Sequence, residues 1–204
     1  MYIDGFNLYY GLLRGTPYKW LDLEALCQHM LPRHELHRIR YCTAHISARE
    51  DEIDPANRQQ AYLRAISTLP TVTIHLGRFL TKTVRMPLAA PLPGGPKTVE
   101  VIKTEEKGSD VNLASHLVAD AFRSDAEAFV LISNDSDLME PLRIVRYELH
   151  KVVGLLNPQA RQSRALLRCK PTFVKQIRPG VASVSQLPNQ LEDKYGAIGR
   201  PAEW

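Results

Sequence analysis

The chain contains only three cysteines in 204 residues, Cys27, Cys42 and Cys169, and no C-x-x-C pair. That scarcity excludes a disulfide framework and a cysteine-based zinc site, and leaves three reduced, mostly buried thiols. No apolar run approaches the roughly 20 residues a membrane span requires. The basic-then-apolar opening of a secretory signal is also missing, so nothing directs the chain out of the cytoplasm. There is no internal repeat and no low-complexity tract. Excess charge is small as well: 26 Lys and Arg against 22 Asp and Glu leave +4, which a polyanionic partner tolerates but does not require. With 44% hydrophobic residues the chain can bury one good core, so a single domain is expected.

What is present is an alternation of strands and helices. Met1–Ile3 reads as the end of a buried strand, Trp20–Leu31 as a helix stopped by Pro32, and Leu36–Ile46 as a strand. Asp54-Pro55 opens a helix over Ala56–Leu69, an N-cap acid before proline, and Thr71–Leu80 is a β-branched strand. Residues 81–97 carry Pro87, Pro91, Pro93 and Pro96 with Gly94-Gly95, which predicts a long mobile loop or irregular hairpin. Thr98–Thr104 returns to extended structure, and helical spacing from Ser109 or Asp110 runs to Phe122. Ala128–Ser133 is a continuous apolar run, the pattern of a strand covered on both faces. A helix starts near Asp137 or Leu138, Val152–Leu156 is a further strand, and Arg161–Cys169 has helical spacing. The whole predicts a three-layer α/β/α domain with a mainly parallel sheet over residues 1–170. Residues 171–204 are expected to form a loosely attached extension.

Three acidic and amide clusters sit at the ends of these elements: YIDGFN at Tyr2–Asn7, EEKGSDVN at Glu105–Asn112 and SNDSD at Ser133–Asp137. In a parallel sheet the site lies outside the carboxyl ends of the strands, so Asp4, Asp110, Asp135 and Asp137 can converge there. Carboxylates crowded in one crevice repel one another unless a cation neutralises them, and oxygen-only ligands suit Mg²⁺ or Mn²⁺. The alternative is local. Asp110, Asp135 and Asp137 can each serve as a helix N-cap worth about 1 kcal/mol. Asp4 has no such excuse on sequence grounds, because no helix is expected directly after it.

The motifs DGFNLYYG at Asp4–Gly11, EKGSDVNLA at Glu106–Ala114 and ISNDSDL at Ile132–Leu138 resemble the three signature motifs of the NYN domain family, a branch of the PIN-like metal-dependent ribonucleases. The resemblance spans about Met1 to Asn157. It implies a Rossmann-like fold and Mg²⁺- or Mn²⁺-dependent hydrolysis of RNA, with Asp4, Asp110 and Asp135 as metal-binding acids, Asp137 as a further acid, and Asn7 orienting a ligand or water. Two positions depart from the family pattern. Asn134 stands where glycine is common, and His116 replaces an acid of the central helix; Asp120, on another helical face, is a weak substitute.

Around the clusters, Lys107, Ser133 and Asn134 are candidate substrate contacts. Tyr9 and Tyr10 are candidates to stack on an unpaired base, against the alternative that one is core. Arg161, Arg164 and Arg168 form a basic stripe suited to a phosphate backbone, or simply an exposed face. The partner that the family resemblance implies is RNA, expected to be single-stranded, bound by a monomer or a homodimer. Two other readings stay open. One is an RNA- or protein-binding module without turnover. The other is a phosphatase or DNA nuclease using the same metal chemistry, although Asp4 is followed two residues later by Phe6 and so lacks the D-x-D-x-T pattern.

Overall fold

A computed structural model describes residues 1–46 and 53–204. Strand β1 (Tyr2–Asp4) runs directly into helix α1 (Gly5–Leu8), whose axis continues through a π-helical turn at Tyr9–Leu13. Then come α2 (Leu23–Met30), β2 (Ile39–Ala44), α3 (Ile53–Ile66), β3 (Val72–Pro87), β4 (Thr98–Lys107), α4 (Ser109–Arg123) and β5 (Ala128–Ile132). A short 3-10 turn at Ser136–Leu138 leads into α5 (Met139–Arg143) and a π-helical turn at Ile144–Glu148. The chain ends with β6 (Val152–Asn157), α6 (Arg164–Arg168), β7 (Phe173–Gln176), α7 (Pro179–Val184), and the strands β8 (Gln190–Asp193) and β9 (Gly196–Gly199).

The central sheet has seven strands in the order β4-β3-β2-β1-β5-β6-β7, all parallel except the β3–β4 pair. Side chains alternate across it. Ile3 joins a core with Leu8, Trp20, Leu26, Leu63 and Ile66 on one face, while Tyr2 joins Leu113, Leu117, Leu142 and Leu166 on the other. Helices therefore cover both faces, as the alternation of apolar runs predicts. Cys27, Cys42 and Cys169 are buried free thiols. Among the described residues no helix is long and apolar enough to cross a membrane.

Two expectations are corrected. For residues 81–97 the hairpin alternative holds and the long loop does not: β3 continues to Pro87 and pairs in register with β4 from Arg78↔Lys107 to Pro87↔Thr98. Only 88–97 connects them. The prolines fall at the strand end and in the connection, where no ladder hydrogen bond is lost. Residues 171–204 are not loosely attached either. Strand β7 belongs to the main sheet, and Ala182, Leu187 and Ile198 are buried in the core. The β8–β9 hairpin is clamped to α3 by Arg64, which donates from Nε and Nη2 to Asp193 at 3.0 and 2.7 Å. Turn formers in this stretch hide the signal, because its few apolar residues act one at a time against a surface made elsewhere.

Candidate metal centre

The strand order reverses between β1 and β5: the chain moves outward through β2 and β3 on one side, then through β6 and β7 on the other. A crevice opens at such a switch point, outside the carboxyl ends of the two strands. Asp4 is the last residue of β1, and Ser133, Asn134 and Asp135 follow β5 directly. Asp110 lies in the first turn of α4, which returns the chain from the edge of the sheet to β5. Asp4, Asp110 and Asp135 each present a carboxylate oxygen within 4.8 Å of the others.

Asp4 is 4% exposed. Its Oδ1 accepts from the backbone N–H of Asn7 at 2.9 Å and its Oδ2 from the Ser133 hydroxyl at 2.9 Å. Asp4 thus caps α1, contrary to the expectation that no helix follows it. Burial raises its pKa, and the Asn7 N–H and the Ser133 hydroxyl pull back in the opposite direction. Asp135 caps the 3-10 turn by accepting from the N–H of Asp137 at 3.0 Å, and the Asp135 N–H in turn donates to Ser133 Oγ at 3.0 Å.

Asp110 is the reverse case. The N-cap of α4 is Gly108, at φ 105°, and Asp110 does not cap the helix. The first N–H of α4, that of Ser109, goes to Glu106 Oε1 at 3.0 Å. Burial, then the charges of Asp4 and Asp135, with smaller effects from Glu106 and Asp137, push Asp110 from an ordinary 3.8 up to about 6. The N-cap role open to Asp110 on sequence grounds is thus not the one it has in the structure. What it has is electrostatic strain that a cation would relieve, and three converging carboxylate oxygens could hold a divalent metal ion.

Glu106 is a residue the sequence reading assigned no role. It caps α4 and adds a fourth negative charge beside Asp110. Gly77 on β3 makes room for it: a Cβ there would collide with Glu106 Oε1 and approach Lys107 O at 2.7 Å and Ser109 N at 2.8 Å. The only trace of this in the sequence is the acid three positions before Ser109.

The other candidate site residues fare differently. Asp137 is exposed and outside the converging group: it lies inside the turn that Asp135 caps from its extended position, so the two side chains do not share a direction. Asn7 Oδ1 accepts from Asn134 N at 3.1 Å and Gln159 Nε2 at 2.7 Å, so its carbonyl braces the loop after β5. Asn134 is likewise committed. Its Oδ1 accepts from Ser163 N at 2.6 Å, and its Nδ2 donates to Arg161 O at 2.8 Å and to Gln159 Oε1 at 3.2 Å. Ser133 is fully buried between Asp4 and Asp135. The polar atoms of both proposed substrate contacts are thus already engaged, those of Ser133 in holding Asp4 and Asp135 and those of Asn134 in holding Gln159, Arg161 and Ser163.

Lys107 is exposed and lies 3.3 Å from Glu105. Arg161 and Arg164 are exposed too, but Arg161 precedes α6 and its carbonyl is held by Asn134, so the stripe is not one helical face. Tyr9 packs against the core and meets Tyr10 edge-on at 5.2 Å. Asp120 and His116 belong elsewhere. Asp120 accepts from Arg40 and from the Tyr2 hydroxyl at the amino end of the sheet, and His116 stacks on His75 at 3.9 Å.

Comparison with known proteins bears on the fold and the family. A crystal structure of a protein of unknown function from Vibrio parahaemolyticus superposes with a TM-score of 0.53 over 86% of this chain and 90% of that one, at 19% identity, which supports the fold. The 6-hydroxy-3-succinoylpyridine 3-monooxygenase HspA of Pseudomonas putida is 30% identical over all of this chain and 74% of its own length. The sequence profile of the NYN domain matches residues 1–177. That span contains all three motifs and all three converging aspartates, and the chain belongs to the NYN domain family.

Proposed function

We propose that this protein is a metal-dependent ribonuclease that hydrolyses RNA phosphodiester bonds. The observation that carries the reading is the convergence of Asp4, Asp110 and Asp135 at the switch point, with Asp110 held near pKa 6 by burial and its neighbours' charge. A Mg²⁺ or Mn²⁺ ion held there supplies positive charge against a phosphate and lowers the pKa of water. The chain's own residues do the rest. Asp4 and Asp135 are fixed by hydrogen bonds to Asn7, Ser133 and the turn at Asp137. Asp110 would complete the donor set, and the ion's charge would offset the repulsion from Asp4 and Asp135 that raises its pKa in the metal-free protein. The products carry 5′-phosphate and 3′-hydroxyl ends.

The test is incubation of the purified protein with single-stranded RNA and Mn²⁺, repeated with chelator and with Asp135→Asn. Cleavage that survives both changes would sink the assignment. A second reading, oxygenation of an acidic pyridine, draws on the name of the Pseudomonas relative. The donor set favours the first. The three converging groups are all carboxylates, whereas non-haem iron oxygenases use two histidines with one carboxylate. No histidine belongs to the converging group among the described residues, and the pair His75 and His116 lies with Arg40 and Asp120 instead. A third reading, a binding module without turnover, predicts RNA binding that persists in chelator with no cleavage under any metal.

A further inference from the structure

Against α1 and the π-helical turn that continues it, whose residues Gly5, Phe6 and Tyr9 line it, lies a cavity of about 260 Å³ walled by Phe6, Tyr9, Tyr41, Tyr62 and Trp204. Its connection to the acid site is covalent and steric: Gly5 and Phe6 follow Asp4 directly and line the cavity. Tyr41 rises beneath α1 so closely that a Cβ on Gly5 would stand 2.8 Å from its hydroxyl. The rings brace one another edge-on, Tyr62 against Trp204 at 6.0 Å and Tyr41 against Tyr62 at 6.4 Å. Such walls are rigid and offer both ring faces and ring edges.

Two cations stand at the rim. Lys19 Nζ lies 6.0 Å over the Trp204 ring. Arg58 Nη1 lies 2.9 Å from the exposed Glu203 carboxylate, a solvent-accessible pair that an incoming anion can displace. Aromatic walls with cations at the mouth fit a flat ring carrying a negative group. The volume falls just under the roughly 300 Å³ at which ordinary small-molecule pockets begin, room for one base with its sugar and no more.

We propose that this cavity is a nucleotide subsite: it takes the base of a nucleotide next to the phosphate at the acid triad, with Lys19 and Arg58 facing that nucleotide's phosphate. The placement beside a scissile phosphate rests on the ribonuclease reading; the binding of a mononucleotide does not. Every base has a ring face to stack, so the subsite accepts unpaired nucleotides and rejects duplex, whose bases are already stacked.

The test is titration of the full chain, in chelator, with AMP, GMP, CMP, UMP, ribose 5-phosphate and pyridine-3-carboxylate, followed by calorimetry. Two variants accompany it: Ile46→Trp, which fills the cavity from its rim, and Lys19→Glu, which reverses a rim charge. The expected result is saturable binding of at least one mononucleotide, at least tenfold weaker for ribose 5-phosphate and in both variants. No saturable nucleotide binding would overturn the proposal. So would equal affinity for ribose 5-phosphate, native affinity in Ile46→Trp, or binding of the pyridine acid alone. Nucleotide binding by a protein that cuts no RNA leaves the subsite standing and removes the ribonuclease reading. RNA cleavage without nucleotide binding does the reverse.

Discussion

Replacing Asp110 by asparagine is expected to stabilise the metal-free protein while removing its activity. The carboxyl is pushed from 3.8 to about 6, a shift of about 2 units, or about 3 kcal/mol of unfavourable charge at pH 7. Asp110 is only half-buried, so solvent screening cuts this to about 1.5 kcal/mol. Asparagine forfeits about 0.5 kcal/mol of favourable charge in the first turn of α4, and no capping bond is lost, because Glu106 holds the Ser109 N–H. The net gain is about 1 kcal/mol, a rise of about 3 °C in Tm for a chain of this size. Metal reverses the order. Mn²⁺ at about 100 times its dissociation constant adds about 2.7 kcal/mol to the native protein, and less to a variant lacking one ligand. The pH dependence follows from the raised pKa: the folded state holds its proton more tightly than the unfolded chain. The penalty is therefore present above pH 6 and fades as pH falls toward 4, so the gap between variant and native closes on acidification. Thermal unfolding with chelator, then with Mn²⁺, reads all of this. A variant less stable than native in chelator at pH 7, or an equal rise for both on adding Mn²⁺, refutes the reasoning.

Three further changes probe what holds the site. Gly77→Ala drives a Cβ into Glu106 and the backbone at Lys107 and Ser109; it should cost about 1–3 kcal/mol in denaturant unfolding and reduce RNA cleavage by moving the start of α4. Asn134→Ala removes three hydrogen bonds to Ser163, Arg161 and Gln159, with an expected loss of about 1–3 kcal/mol and a lower rate of cleavage, measured by thermal unfolding and by RNA assay. Asp120→Asn breaks the pair with Arg40, whose side chains are 2% and 13% exposed, and should cost about 3 kcal/mol. Burial opposes ionisation of Asp120, but the hydrogen bonds from Arg40 and Tyr2 win and hold its pKa below the usual range. Its contribution is thus present above pH 4 and lost as pH falls further, so variant and native should converge in acid; a constant gap down to pH 2 would contradict this.

How much of the molecule was legible beforehand differs by feature. The sheet was legible because β1, β2, β5 and β6 are apolar runs whose period is set by the strand itself. The edge was less so: β3 and β4 form a projecting hairpin whose exposed residues alternate little in polarity, and proline density reads as a loop. Asp4, Asp110 and Asp135 were legible as a group because each sits at the end of an element. Their individual roles were not. Asp4 caps a four-residue helix too short to show periodicity, and Asp110 is relieved of capping by Glu106, a contact set by the positive φ of Gly108 and the close approach of Gly77. Ser133, Asn134 and Asn7 looked like hands for a substrate, and they turn out to hold the acids and one another.

The sequence alone determined the alternation of strands and helices, the family motifs and the chemistry of the acids, because each depends on the nature and spacing of neighbouring residues. Only the tertiary structure decided which acids meet, which polar groups are already spent, and that a segment with the composition of a tail closes an aromatic cavity with Trp204. Those depend on contacts between residues more than a hundred positions apart, such as Ser133 with Asp4 and Gln159 with Asn7, and no local pattern records them.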